Sequence, residues 1–244
     1  MHFNSLQATS DGVMDTTYIV DNYILKKYER NLGGRIESDA KLLASLSRAG
    51  LSVPRLVDAS QGWYLYEKLK GEVPKHIELY HIQALARFIA ELHRQTHKRS
   101  CSQKFLQEYD IEAIVKFTKK EFYYYFSKLK TIKGYRAKSD GFIHGDIFKD
   151  NTVFDTQKIA VFDFIDGGCG EFSFDIAVAL ISFNPKNKKA FTQLFLNTYN
   201  QRAPFKISRK SVEKKIKTAS KLYALLRINK YKNPQKAKLL ANLW

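Results

Sequence analysis

One stretch of 40 residues, GFIHGDIFKDNTVFDTQKIAVFDFIDGGCGEFSFDIAVAL from Gly141 to Leu180, holds residue types at spacings suited to chemistry. His144-Gly145-Asp146 is followed five residues on by Asn151, Asp163 ends an apolar strand-like run, and Asp175 opens an apolar helix. A short loop between strands can set Asp146 beside a nucleophilic hydroxyl. Asn151 and Asp163 then supply hard oxygen donors suited to Mg2+ bound together with nucleotide phosphates. At average residue frequencies H-x-D-x-x-x-x-N arises about once in 20,000 starts, so accident supplies it in on the order of 1% of chains this long. His144 is read as a residue that fixes the loop rather than as a proton carrier.

These residues need a frame. Thr16 to Val20 and Tyr23 to Glu29 alternate as strands around Asp21-Asn22, a pair that tolerates the positive φ of a tight turn. A helix from about Glu37 to Ala49 repeats Leu42, Leu43 and Leu46 at helical spacing, with Gly50 as a left-handed cap. Arg55 to Ala59 and Trp63 to Leu69 form a second hairpin. Beyond Pro74 the pattern turns helical, about Ile77 to His97 and Lys104 to Ile132. Short strands at Phe142 to His144, Thr152 to Phe154 and Ile159 to Phe164 come next, and helices return from Asp175. The expectation is an α+β chain in two parts, a strand-rich unit over 1–70 and a mostly helical unit over 71–244.

HGDIFKDN, VFDFIDGG and EFSFDIAVAL resemble the catalytic loop, metal-binding strand and loop-bracing segment of the aminoglycoside phosphotransferase, choline kinase and type II homoserine kinase group within the protein-kinase-like superfamily. The resemblance implies a two-lobed protein-kinase-like fold, with a small antiparallel β-sheet lobe carrying one helix above a larger, mostly helical lobe. It implies Asp146 as catalytic base, Asn151 and Asp163 as Mg2+ ligands, Asp175 as structural, and ATP as phosphoryl donor. In YILKKYER the strand alternation puts Ile24 and Lys26 on one face, Ile24 toward adenine and Lys26 toward the α and β phosphates, with Lys27 pointing away. Asp39 shares a helix face with Leu42, Leu43 and Leu46, where the family places the partner of that lysine, and Glu37 is the alternative. Backbone groups near Glu67 and Leu69 correspond to the hinge that binds adenine. Ser10 to Asp15 has a single glycine where protein kinases have G-x-G-x-x-G, a departure from the full phosphate loop.

Only 12 residues separate Asp163 from Asp175, and no A-P-E follows, which excludes a peptide-cradling activation segment and leaves a small-molecule hydroxyl as acceptor. LLASLSRAGLSVPRLV and YILKKYER most resemble type II homoserine kinases, whereas NLGGRIESD also resembles bacterial choline kinases. Tyr123, Tyr124, Tyr125 and Phe126 are candidates for an aromatic cage around a quaternary ammonium, and Asp166 and Glu171 for a cationic amino group. The net charge is +17, and Phe205 to Trp244 holds twelve Lys/Arg against Glu213 alone. That field suits nucleic acid or an anionic surface, but charge runs more often solvate a helix face, so neither partner is favoured. The rival reading is a catalytically silent, kinase-like binding protein that uses this basic tail. Hydrophobic content of 44% excludes disorder as the main state. The absence of a long apolar run or secretory pattern leads to the expectation of a soluble cytoplasmic protein. Cys101 and Cys169, with no metal-ligand spacing, are expected to be free thiols.

Overall fold

The structure is a computed structural model that describes residues 5, 7–8, 15–101, 103–106, 109–123, 139–186, 188–232 and 240. They form two compact units. The first comprises Met1–Val73 with Thr152–Ile165, the second Pro74–Asn151 with Asp166–Trp244.

The first unit is built on an antiparallel sheet of β1 (Gln7–Ala8), β2 (Thr16–Val20), β3 (Tyr23–Lys27), β4 (Leu56–Ser60) and β5 (Trp63–Glu67), in the order β1-β2-β3-β5-β4. The turns follow from the sequence. Asp21 takes φ +50° between β2 and β3, and Gln61 and Gly62, at φ +50° and +80°, make the two-residue turn whose twist suits the β4–β5 hairpin. Helix α1 (Arg35–Arg48) buries Ile36, Leu43 and Leu46. It ends in a Schellman motif: Gly50, at φ +88°, donates its N–H to Ser47 O at 2.9 Å, and Leu51 donates to Leu46 O at 3.1 Å. A hairpin of β7 (Thr152–Asp155) and β8 (Lys158–Val161) completes the unit. Val161 donates to Ser52 O at 3.1 Å, and Glu72 and Phe154 exchange both backbone bonds at 3.1 and 2.9 Å.

In the second unit, α4 (Phe172–Phe183) buries eleven of its twelve residues, so it has no polar face and must lie inside. Around it pack α2 (Leu79–Thr96), the two-stranded ladder of β6 (Gly141–Ile143) and β9 (Gly168–Gly170), and α6 (Arg209–Tyr231), while α5 (Lys189–Tyr199) packs on α2. Helix α6 carries much of the basic C-terminal stretch, yet it buries Val212, Ile216, Ala219, Leu222, Tyr223, Leu225 and Ile228. Its charges ride on the outer face of a core helix. No helix among the described residues is long and apolar enough to cross a membrane.

The α+β expectation holds, with two corrections in the second unit. The helix expected from Lys104 starts instead at Ile111, as α3 (Ile111–Glu121), where Asp110 Oδ1 accepts the Ala113 N–H at 2.9 Å. Ahead of it the backbone is already committed elsewhere, since Phe105 donates to Cys169 O at 3.0 Å and Cys169 donates to Gln103 O at 2.9 Å. Residues 124–132 of that expected helix lie outside the described residues. The second correction concerns the cysteines, which form a disulfide with Cα atoms 5.5 Å apart rather than standing as free thiols. Their 68-residue separation hides the pairing that β9 creates, and the argument from free thiols to a reducing compartment falls with it.

Gly71 sits at φ +115°, and a Cβ there would lie 2.5 Å from the carbonyl carbon and oxygen of Phe154. Gly71→Ala therefore combines backbone strain with a clash against a ladder that cannot retreat, and is expected to cost about 2–4 kcal/mol. A urea unfolding midpoint equal to that of the unaltered protein would contradict this close approach.

Candidate active site

The loop after β6 is held by a carboxylate at the centre of the second unit. Asp175, wholly buried on the first turn of α4, accepts the Gly145 N–H at Oδ1 (2.8 Å) and the His144 N–H at Oδ2 (3.2 Å). His93, on α2, meets the same Oδ2 through Nε2 at 3.1 Å, and its Nδ1 lies 2.8 Å from the Tyr199 hydroxyl on α5. This network is satisfied by a neutral imidazole that donates to Asp175 and accepts from Tyr199. Burial opposes a charge on either group. Burial keeps His93 below the ordinary histidine pKa in spite of Asp175. The donors around Asp175, His93 first among them, overcome its burial and hold its pKa below the usual carboxylate value.

The loop itself is shaped by its small residue. Gly145 stands at φ +75° with the Phe105 ring packed where a Cβ would go, and its carbonyl accepts from the Tyr223 hydroxyl of α6. His144 accepts the Asp146 N–H on Nδ1 at 3.2 Å and so fixes the loop. A 3-10 turn over Lys149–Asn151 then brings Asn151 back to Asp146. Its Nδ2 donates to Asp146 O at 2.8 Å and to Oδ2 at 3.0 Å, which leaves the amide oxygen as the donor atom for a hard cation.

In the first unit, Asp163 follows β8 at φ +67°, a conformation that costs energy for a residue with a side chain and recurs where function demands it. Its Oδ1 accepts from Lys26 Nζ at 2.7 Å, and Asp15 Oδ2 lies 3.4 Å from the same nitrogen. Burial works against the Lys26 ammonium, but the Asp163 and Asp15 carboxylates outweigh it and raise its pKa above the ordinary value. Lys27 faces the other way, over the Trp63 ring. Ile24 shares the Lys26 face and pairs across the sheet with Ile19 and Tyr66. Tyr66 is 3.2 Å from the Tyr28 hydroxyl, and burial, reinforced by Asp39 and Asp163, pushes it up to about 12. Asp39 thus lies in the same electrostatic neighbourhood as Asp163.

The remaining expected residues are placed as follows. Glu67 ends β5, donates its N–H to Arg55 O at 2.9 Å and pairs through its carboxylate with the Arg55 guanidinium, while the Lys68 N–H goes to Asn22 O at 3.0 Å. Leu69 lies just past the strand. Glu171 is ion-paired with Lys215. Tyr123 is 68% exposed, while Tyr124, Tyr125, Phe126 and most of the single-glycine loop lie outside the described residues. Among the described residues no group of three His, Cys, Asp or Glu gathers into an all-protein cation cage. Mg2+ held with phosphates needs only one or two protein oxygens, and the Asn151 amide and Asp163 carboxylate are donors of that kind. Asp15, His93, Tyr199 and Tyr223 were not singled out from the sequence. The available signal was period two for Asp15, which lies two residues before Thr17, the cross-strand neighbour of Lys26.

Residues 5–206 match the phosphotransferase enzyme family (APH), to which the chain belongs. It is 26% identical over 204 residues to a homoserine kinase from Polaromonas naphthalenivorans (strain CJ2), covering 72% of this chain and 64% of that protein, so it spans just under two thirds of that relative's length. Among solved structures it resembles amicoumacin kinase hAmiN in complex with AMP-PNP, Ca2+ and Ami, with a TM-score of 0.74, 19% identity and coverage of 99% of this chain and 88% of that one. The gentamicin complex of APH(2")-IIa gives a TM-score of 0.67 at 20% identity, covering 99% and 90%. Macrolide 2'-phosphotransferase MphH from Brachybacterium faecium gives 0.64 at 14%, covering 98% and 91%. These likenesses establish the kinase-like fold.

Because the folded pKa of Asp175 is depressed, its stabilisation is present above the unfolded value of about 3.9 and is lost as pH falls through the folded value. Asp175→Asn leaves a buried donor without its acceptor and should lower the unfolding free energy by about 2 kcal/mol at pH 7. The gap between the two proteins in urea midpoint should narrow from pH 4 toward pH 3. A gap that stays constant across that range would mean Asp175 is not the ionised brace.

Proposed function

We propose that this chain is an ATP- and Mg2+-dependent phosphotransferase acting on the hydroxyl of a small molecule, and that its acceptor is a small amino alcohol of the homoserine or choline/ethanolamine kind. The carrying observation is the closed Asp146–Asn151 turn, suspended from Asp175 by two backbone N–H groups. Such a loop holds the Asp146 carboxylate in a fixed direction, with Asn151 Nδ2 donating to its Oδ2. In this reading Asp146 orients the acceptor hydroxyl and takes up its proton as the γ-phosphoryl transfers in line. Lys26 directs its ammonium to the α and β phosphates, Ile24 lies on the adenine, and backbone groups near Glu67 and Leu69 hold the base edge. The acids that meet Lys26 are Asp163 and Asp15, rather than the Asp39 or Glu37 expected as its helix partner, and Asp39 acts at longer range, on Tyr66. Asn151 and Asp163 would hold Mg2+, which when bound neutralises charge on the phosphate oxygens. The homoserine side of the choice draws support from the 26% identical relative.

The test is ATP-dependent phosphorylation of a set containing homoserine, choline, ethanolamine, aminoglycosides and sugar alcohols, followed by Asp146→Asn on the acceptor that responds. Transfer should fall by about 10²-fold or more while ATP affinity stays within a few fold, because the base acts in the transition state. Near-normal transfer by Asp146→Asn would remove the central residue of this reading. ATP binding with no acceptor turned over would point to a silent, nucleotide-binding relative.

A second expectation concerns Asp163. Asp163→Ala should abolish the Mg2+-dependent part of nucleotide binding, since it removes the carboxylate assigned to the cation. Titration calorimetry with ATP, with and without Mg2+, reads this directly. Equal Mg2+-ATP affinity in both proteins would reduce Asp163 to a partner of Lys26.

A further inference from the structure

Lys26 has two acidic partners of different character. Asp163 makes the shorter contact, 2.7 Å, and its side chain is 38% exposed, whereas Asp15 stands 3.4 Å away with a side chain only 9% exposed. Asp15 precedes β2, two residues before Thr17, which pairs with Lys26 across the sheet, so the strand alternation places Asp15 on the lysine's own face. Its Oδ1 is buried and, among the described residues, has no hydrogen-bond partner. A buried carboxylate oxygen without a donor is uncommon and calls for a reason. The other carboxylate at this lysine supplies one. Asp163, the more exposed of the two, cannot both serve Mg2+ and keep its hold on Lys26 unchanged, whereas the buried Asp15 carboxylate is shut away from a hydrated cation.

We propose that Asp15 is the positioning residue for Lys26: as Asp163 turns to the metal, the ammonium settles onto the Asp15 carboxylate and stays directed at the phosphates. This rests on the reading of Lys26 and Asp163 given above. An ammonium has three donors, so it can hold Asp15 and still reach a phosphate oxygen. The two carboxylates therefore divide the work: Asp163 is exchangeable, and Asp15 is permanent.

The proposal makes the role of Asp15 depend on the metal, which simple packing would not. ADP affinity is measured by calorimetry for the full chain, for Asp15→Asn and Asp15→Ser, for Lys26→Met, and for the Lys26→Met/Asp15→Asn pair, each in Mg2+ and in EDTA. With Mg2+, both Asp15 variants should bind about 5–10-fold more weakly. In EDTA, where Asp163 still holds Lys26, they should bind within about 2-fold of the unaltered protein. In the Lys26→Met background Asp15→Asn should add nothing. Equal weakening with and without Mg2+, a further loss on top of Lys26→Met, or no weakening while Lys26→Met binds poorly would each overturn the role of Asp15. Unchanged affinity in Lys26→Met with Mg2+ would instead overturn the assignment of Lys26 itself.

Discussion

The Asp175 carboxylate is the constraint around which the second unit is organised. A charge placed at the centre of an apolar helix bundle is tolerated only if donors surround it. Here they come from three directions, two backbone N–H groups of the loop and one imidazole from α2. Each donor carries a structural consequence. The loop must approach closely, which requires a glycine at the turn, and α2 must present a histidine from its buried face. Tyr199 must then satisfy the far nitrogen of that histidine. The chemistry assigned to Asp146 is thus inherited from a charge that never meets a substrate.

The first unit follows the same physics with the opposite outcome. Its central charge is a cation, the half-buried Lys26 ammonium, balanced by Asp163 at 2.7 Å and Asp15 at 3.4 Å. Asp163 is delivered by the β7–β8 hairpin, which joins this unit through Val161 on Ser52 and Phe154 on Glu72, although it lies some 80 residues further along the chain. Its backbone stands at φ +67° two residues past the end of β8, an uncommon conformation for a residue with a side chain. A site built this way depends on the accuracy of backbone pairing more than on the carboxylate itself. That accounts for Gly71, where the second Glu72–Phe154 strand contact leaves no room for a side chain.

Much of this was legible in the sequence because it rests on short-range rules. Alternation fixed the faces of β3, so Lys26 and Lys27 were told apart, and the Asp21-Asn22 pair marked its turn. The D-x-x-x-x-N spacing put Asp146 and Asn151 on one short loop, but it did not reveal the bonds by which Asn151 Nδ2 closes that loop onto Asp146. What stayed hidden depends on distant partners. Strand β9 is three residues with two glycines, invisible to any periodicity, and it exists because β6 pairs with it. That pairing brings Cys169 beside Cys101 and takes the backbone of Gln103 and Phe105, so the apolar run from Lys104 could not begin a helix there. The sequence signals for helix were real but weaker than ladder bonds and a covalent link. Asp15 was missed for a different reason: at the edge of a glycine-poor loop an acid reads as solvated, and only its burial beside Lys26 separates it from a surface charge.

The basic C-terminal stretch shows how tertiary context redefines a composition signal. Twelve cations against one acid describe a detachable arm if taken as a string. Folded, α6 turns its apolar side to α4 and α3, and the positive residues occupy what is left of the circumference. One polar group on the inner side is decisive, the Tyr223 hydroxyl, which donates to the Gly145 carbonyl from a buried position. Phe148, two residues after Asp146, packs edge-on to the same tyrosine, and Arg227 lies over the Phe148 ring. The stretch that looks most separable in composition is therefore fastened to the loop bearing Asp146 by a hydrogen bond, an aromatic contact and a cation–π contact. Over Arg209–Tyr231 the charge lies on the surface of that unit, and the buried face of α6 is part of what holds the loop in place.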